Sequence, residues 1–381
     1  MIAVGLMSGT SLDGIDAALV EILPRGPGYS VRLDRFLTKP FSLELSAALA
    51  AALPPNAGSI AEAATLHRDL GLAFAQAAVD VAAGSRIDYA ASHGQTLWHD
   101  GEHQATLQAA DAFAIRDAVA ASVCFDFRSG DCAAGGCGAP LVPYVDAMLL
   151  AAPNEDRVAV NLGGIANLTV LPRGCNPTSV VAFDSGPGNM LIDAFVKVRT
   201  AGRAHYDAGG AFALAGRVDH ALLEAMARDP YFARPFPKST GRERFGHQFF
   251  EPYADTIAEL SLEDGAATLA ALTVLTLADA ICAVAPNGSR VLLSGGGARN
   301  EAIVRGLRER LALYCVESSG VMEIDPDAKE AIAFALLGYE TLRGRASNVP
   351  SATGARYATP LGAIAPWNLR ELLAKVHAEC A

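Results

Sequence analysis

The chain has 381 residues, 51% apolar and 19% charged, which is long enough for two folded domains and too apolar for disorder. A net charge of −11 with pI near 5.2 argues against a duplex nucleic-acid binder, whose surface must be basic to neutralise phosphates. Acidic proteins still bind small anions such as nucleotides through backbone amides and local dipoles, so that class stays open.

Met1 leads straight into a strand-like run with no basic leader, and no apolar stretch approaches the ~20 residues of a membrane span. The seven cysteines (Cys124, Cys132, Cys137, Cys175, Cys282, Cys315, Cys380) are odd in number and form no CxxC pair. Scattered in this way, they read as reduced, buried thiols in the cytoplasm.

The first elements are two apolar runs, Ile2–Met7 and Ile15–Ile22, which flank the loop SGTSLDG. That loop is longer than the roughly two or three residues of a tight hairpin. Its glycines allow close backbone approach, Thr10 and Ser11 supply hydroxyls, and Asp13 can hold a metal through water. Such a loop suits a ligand with many acceptor oxygens. Ser59-Ile-Ala-Glu62 opens an alanine-rich helix to Ala83 with a capping-box pattern. A strand at Ile87–Ala91 then ends in SHGQT, and GDCAAGGCGAPLVP (130–143) reads as a long loop or domain crossing. His93, His99 and His103 have partial metal-ligand spacing, but Gly101 spoils a helical i, i+4 pair, so hydrogen-bonding histidines is the reading taken.

From Arg157, RVAVNLGGIANLTVL repeats the strand, glycine turn, strand pattern of the start. It reads either as a duplicated architecture or as an unrelated β-turn. VVAFDSGPGN follows, with Asp184 at a strand end before a glycine turn and a helix. A carboxylate there reaches a crevice where α/β proteins bind ligands, or else caps the helix; SGPGN as an obligate turn favours the crevice. Residues 268–285 form an apolar helix, Arg290–Leu293 a strand running into SGGGARN, and the segment after Pro326 a helix. The alternation is that of an α/β protein. Arg128 alone reads as a surface cation and Glu330 as a first-turn helix acid. No P-loop, no kinase H-R-D and D-F-G pair, and no GxGxxG after the first strand occurs, so those nucleotide-binding classes are unsupported.

Ten collinear blocks carry a resemblance: GLMSGTSLDGIDAALVEI, SHGQTLWH, TLQ, DFRSGDCAAGGCGAPLVP, NLGGIANLT, FDSGPGNMLID, PKSTGRERF, ATLAALT, LLSGGGARN and EAIAFALLG. Together they resemble the anhydro-N-acetylmuramic acid kinases over residues 2 to 366. The resemblance implies two related α/β domains of the actin-like ATPase (ribonuclease H-like) type with an ATP cleft between them. The expected boundaries are 1–135, with 350–381 a candidate to rejoin it, and 136–349. The family reaction converts 1,6-anhydro-N-acetylmuramic acid, ATP and water into N-acetylmuramic acid 6-phosphate and ADP, in cell-wall recycling. Carried over, Asp184 is the catalytic base. Gly9, Thr10, Ser11, Leu12, Asp13, Gly14, Ile15 and Asp16 form the first ATP loop, Gly163 and Gly164 its counterpart, and Gly295, Gly296, Gly297 and Asn300 the adenosine contact. His93, Gln95, Thr96, Arg128 and Glu330 face the sugar, and Mg²⁺ is reached by Asp13 through water. A cytoplasmic homodimer acting on a small amino sugar, with no nucleic acid or membrane partner, is the family expectation. Ser185 stands where Thr is expected, and Cys137 where a polar side chain is. The rivals are a conventional hydroxyl-phosphorylating sugar kinase of the same fold and an ATP-gated binding protein.

Overall fold

In chain order the strands are β1 (Ile2–Ser8), β2 (Gly14–Arg25), β3 (Gly28–Pro40), β4 (Tyr89–Asp100), β5 (Ala105–Ala109), β6 (Ser122–Phe125), β7 (Arg157–Leu162), β8 (Ile165–Leu171), β9 (Val181–Pro187), β10 (Arg290–Ser294), β11 (Cys315–Ser318) and β12 (Ala363–Ala365). The computed structural model describes all residues except 10, 11, 13, 26, 27, 54–57, 323, 324, 326 and 381. The chain divides into two compact units. One is Met1–Leu149 with Asn176–Ser179 and Ala328–Ala381; the other is Leu150–Cys175 with Val180–Asp327.

The first unit's sheet runs β12-β6-β4-β1-β2-β3, with β5 added to β4; the second unit's runs β11-β10-β7-β8-β9. Each contains a three-stranded antiparallel meander (β1-β2-β3, β7-β8-β9) followed by two strands parallel to the meander's first strand. This is the ribonuclease H-like strand order, present twice. The two glycine hairpins therefore hold the same place in a duplicated architecture, which the local pattern alone left open.

Burial explains why these runs are strands. From Ala3 on, β1 is buried, as an inner strand between a parallel and an antiparallel neighbour must be. β3, at the sheet's end, shows a mixed, mostly part-exposed pattern. One core gathers Val4, Leu6, Leu19 and Val123 under Leu66, Leu70, Phe74 and Val81 of the helix Ile60–Ala82. Ser59 and Glu62 close the expected capping box there. The second core packs Val158, Val160 and Val291 against the helix Leu262–Val284. That helix is long and apolar enough to cross a membrane by composition, yet it buries Leu269, Leu272, Leu277 and Ile281 in this core.

Three expectations shift. Cys124 and Cys132 are buried, but Cys137, Cys282 and Cys315 are exposed. β4 continues through SHGQT to Asp100, because Gln95 pairs with Ser8 on one side and Ala109 on the other. Residues 130–143 are not all loop, since Phe127–Ala133 forms a helix with Asp126 (φ 55°) at its cap position. The helix Lys329–Arg343 lies so close on β1 that a Cβ on Gly5 would fall 1.9 Å from the Ala331 carbonyl oxygen. Only glycine permits that approach, and it fixes the helix start that carries Glu330.

Candidate active site

In the first unit, His93, Gln95 and Thr96 lie on β4, Arg128 on the Phe127–Ala133 helix, and Glu330 in the first turn of the Lys329–Arg343 helix. His93 is buried, and its Nδ1 lies 2.9 Å from the Gly94 carbonyl while Arg128 Nε donates to its Nε2 at 2.9 Å. A carbonyl can only accept and a guanidinium can only donate, so the ring carries its proton on Nδ1 and is neutral. Burial, and then the Arg128 charge, hold its pKa well below the usual imidazole range. Arg128 Nη1 also donates to the Gly138 carbonyl at 2.8 Å. Burial pushes the guanidinium down to about 10, opposed by the charge of Glu330, so it stays cationic at neutral pH.

Glu330 has its pKa raised, first by burial and then by the charge of Asp16, against the pull of Lys329 and Arg128. Beside it Lys329 pairs with Asp146 at 2.8 Å, both side chains nearly inaccessible. Removing one partner of so buried a pair costs roughly 3–5 kcal/mol. Asp16 sits on β2 and accepts from Thr38 Oγ1 at 2.6 Å. Ser8 Oγ lies 2.7 Å from the Gly14 carbonyl and 2.6 Å from the Gln95 side-chain amide, closing the first hairpin. Thr96 Oγ1 accepts from Gln108. Gly9 and Ile15 flank the same loop, with Leu12 at φ 61°. Thr10, Ser11 and Asp13, the expected hydroxyl and metal-site residues, lie outside the described residues. His99 bonds Thr106 and His103 bonds Asp100, as hydrogen-bonding histidines should. Among the described residues no three His, Cys, Asp or Glu side chains gather as a metal site.

In the second unit Asp184 lies inside β9, which continues to Pro187; the following helix, Met190–Arg199, has Asn189 at its cap position. The N-cap reading of Asp184 is thereby excluded. Its Oδ2 accepts from the Thr240 backbone N–H at 2.9 Å and from Ser239 Oγ at 3.1 Å. Its own N–H donates to the Lys238 carbonyl at 2.9 Å, and its carbonyl accepts from the Tyr231 hydroxyl at 2.7 Å. Lys238 Nζ in turn donates to the carbonyls of Tyr231 and Phe232 at 3.1 and 3.0 Å. A carboxylate can only accept, so two converging donors suit its ionised form. Ser185 is buried, its hydroxyl on the Ala166 carbonyl at 3.1 Å.

The glycines divide by what faces them. A Cβ on Gly14 would fall 2.4 Å from the Lys39 carbonyl oxygen, on Gly295 2.5 Å from Asn161 Oδ1, and on Gly297 2.7 Å from Leu162 Cβ. These three are required by the protein's own packing. A Cβ on Gly163, Gly164 or Gly296 would meet nothing closer than 3.3 Å, leaving backbone that a phosphate-bearing ligand can approach. The Gly163–Gly164 turn is held from behind, since the N–H groups of Gly188, Asn189 and Met190 bond its two carbonyls. Asn300 caps the helix Glu301–Arg310 through Ala302 and Ile303.

Sequence reasoning missed Tyr231, Lys238, Ser239 and Thr240 as residues that hold Asp184. Lys238, Ser239 and Thr240 lie in the block PKSTGRERF and Tyr231 shortly before it, but nothing local ties that loop to a strand some fifty residues earlier.

A family model described as anhydro-N-acetylmuramic acid kinase matches residues 1–367. A protein of that name from Gloeobacter violaceus is 43% identical over 375 residues, covering 96% of this chain and 98% of its own. One from Streptomyces coelicolor is 42% identical over 372 residues, covering 96% and 94%. Among solved structures, a ROK family glucokinase from Streptomyces griseus in complex with glucose and AMPPNP is 13% identical, with TM-score 0.39, over 88% of this chain and 99% of its own. The fold assignment above rests on strand order and not on that distant likeness. The match to the family model and the near full-length relatives agree, and the chain belongs to the anhydro-N-acetylmuramic acid kinase family.

Proposed function

We propose that this chain opens 1,6-anhydro-N-acetylmuramic acid with water and phosphorylates its O6 with ATP, giving N-acetylmuramic acid 6-phosphate and ADP. The observation that carries the reading is the Asp184 carboxylate, held inside β9 by two donors to one oxygen instead of capping a helix. The anhydro sugar has no free 6-hydroxyl, because O6 is bonded to C1. Asp184 takes a proton from water as the water oxygen attacks C1. The C1–O6 bond breaks with its electron pair going to O6, and O6 attacks the γ-phosphorus while ADP departs. O6 bridges from the β face, so displacement in line delivers oxygen to the α face and the α-anomer forms first.

The remaining residues divide the work. The backbone of Gly163 and Gly164, open to approach, takes nucleotide phosphates. Gly9–Asp16 contribute the first phosphate loop, and Gly295, Gly296, Gly297 and Asn300 the adenosine side. Arg128 stays cationic and suits the lactyl carboxylate or a sugar oxygen, while neutral His93 keeps it aimed. Gln95, Thr96 and Glu330 complete the sugar contacts. Mg²⁺, reached by Asp13 through water, would screen the phosphate charge. A cytoplasmic homodimer is the assembly we propose, on family grounds.

ADP release measured with the anhydro sugar, with free amino sugars and with no sugar tests the reading. Turnover on the anhydro sugar alone is expected. Turnover on free sugars would favour a conventional kinase, and sugar-independent turnover a binding protein. Asp184→Asn should lose roughly 10²–10⁴-fold in kcat, the range of a positioned base. Early β-anomer in the NMR spectrum of the product would overturn direct inversion.

A further inference from the structure

We infer that Thr240 holds, through its side-chain hydroxyl, the water that attacks the sugar, while its backbone N–H fixes the carboxylate that deprotonates that water. The inference rests on the reading of Asp184 as base. It starts from an imbalance in polar pairing: among the described residues, Thr240 Oγ1 is buried and has no hydrogen-bond partner. A threonine hydroxyl offers one donor and two acceptor sites, and leaving them unmet in the interior lowers stability. Native folds satisfy nearly all such groups, so an exception beside a reactive carboxylate points to a ligand.

The geometry places that hydroxyl in the same local site as the base. The Thr240 N–H donates to Asp184 Oδ2 at 2.9 Å, so the two residues touch. Their relation is fixed from several sides. Ser239 Oγ reaches the same oxygen at 3.1 Å, Asp184 N–H bonds the Lys238 carbonyl at 2.9 Å, and the Tyr231 hydroxyl bonds the Asp184 carbonyl at 2.7 Å. A loop tied in this way cannot carry its backbone away from the carboxylate without breaking those bonds.

Water fits the vacancy in pairing. It donates one proton to Asp184 and the other to Thr240 Oγ1, which leaves a lone pair on the water oxygen for C1. As the O–C1 bond forms, the first proton passes to Asp184 and the C1–O6 pair departs on O6. The proton facing Thr240 stays on the new C1 hydroxyl. Two anchors orient the nucleophile where one would let it rotate, and orientation is a large part of such a barrier.

Thr240→Val keeps the backbone N–H and the side-chain shape and removes only the hydroxyl. The expected result is a fall in kcat on the order of 10–10²-fold, with KM for ATP and sugar within about twofold. Its Tm should equal or exceed the parent's, since an unpaired buried hydroxyl replaced by a methyl is neutral or stabilising. Thr240→Ser, which keeps the hydroxyl, should recover most of the rate. Thr240→Ala serves as the second hydroxyl-free variant should Val pack badly. An unchanged kcat in both hydroxyl-free variants overturns the inference. So does a rise confined to KM for the sugar, which would put the hydroxyl on the sugar instead of the water. Asp184→Asn is measured alongside: if that enzyme is fully active the base assignment falls on its own, whatever Thr240→Val does.

Discussion

The β1–β2 and β7–β8 hairpins occupy the same position in two copies of one strand order, yet each is held differently. The first is closed by a side chain, Ser8 between the Gly14 carbonyl and Gln95. The second is closed by backbone, the N–H groups of residues 188–190 on the carbonyls of Gly163 and Gly164. Glycine serves opposite purposes in them. At Gly14 it makes room for the neighbouring strand β3, while a Cβ at Gly163 would meet nothing closer than 3.4 Å. A shared glycine turn is therefore evidence of common architecture but not of common work.

The most damaging way to break this comparison is Gly14→Ala. A Cβ 2.4 Å from the Lys39 carbonyl oxygen cannot be accommodated by a side-chain rotation, because every atom it meets is backbone. We expect a loss of about 1–3 kcal/mol in urea unfolding, the range for overpacked sites. A variant as stable as the parent would mean that the hairpin yields more easily than its register implies.

Gly163→Ala should do the reverse. Its Cβ would lie 3.4 Å from its nearest neighbour, the Ile165 carbonyl oxygen, and its φ is not in the left-handed region. Stability should change by less than about 1 kcal/mol. If the nucleotide phosphates approach this backbone, KM for ATP should rise roughly tenfold, the equivalent of about 1.4 kcal/mol in lost contact. An unchanged KM in a folded enzyme would remove the phosphate role from this turn.

How far the sequence revealed this arrangement depends on the range over which each signal acts. The capping box at Ser59–Glu62 and the apolar runs of β1, β7 and β10 are local, and they appear where the residue pattern put them. The extension of β4 through SHGQT was hidden, because polar residues make a strand only when partners such as Ser8 and Ala109 are beside them. Asp184 stood out by position, but excluding it as a helix cap took the course of β9, which runs on to Pro187. The role of Gly14 was equally non-local, since its clash partner lies on β3. Charge setting at Glu330 gathers Asp16, Lys329, Arg128 and Asp146 from four separate segments. No window of sequence contains that information.

The smallest effect expected concerns that last group, because Asp16 ties it to the first hairpin. Burial and the charge of Asp16 raise the Glu330 pKa above its ordinary value, so ionising it costs more in the folded than in the unfolded chain. Below the unfolded value, about 4.3, both states are protonated and the group contributes no penalty. As pH rises through the unfolded and then the folded pKa, the unfolded chain releases its proton first and folding is progressively disfavoured. Glu330→Gln removes the titration while keeping the shape. The variant should therefore melt with the parent at pH 4 and above it at pH 7.5, even as sugar turnover falls. The gap should shrink when Asp16→Asn is present in both backgrounds, because one source of the raised pKa has then gone. A variant that melts below the parent at pH 7.5 would mean that Lys329 and Arg128 outweigh burial, and that the carboxylate supports the fold instead of straining it.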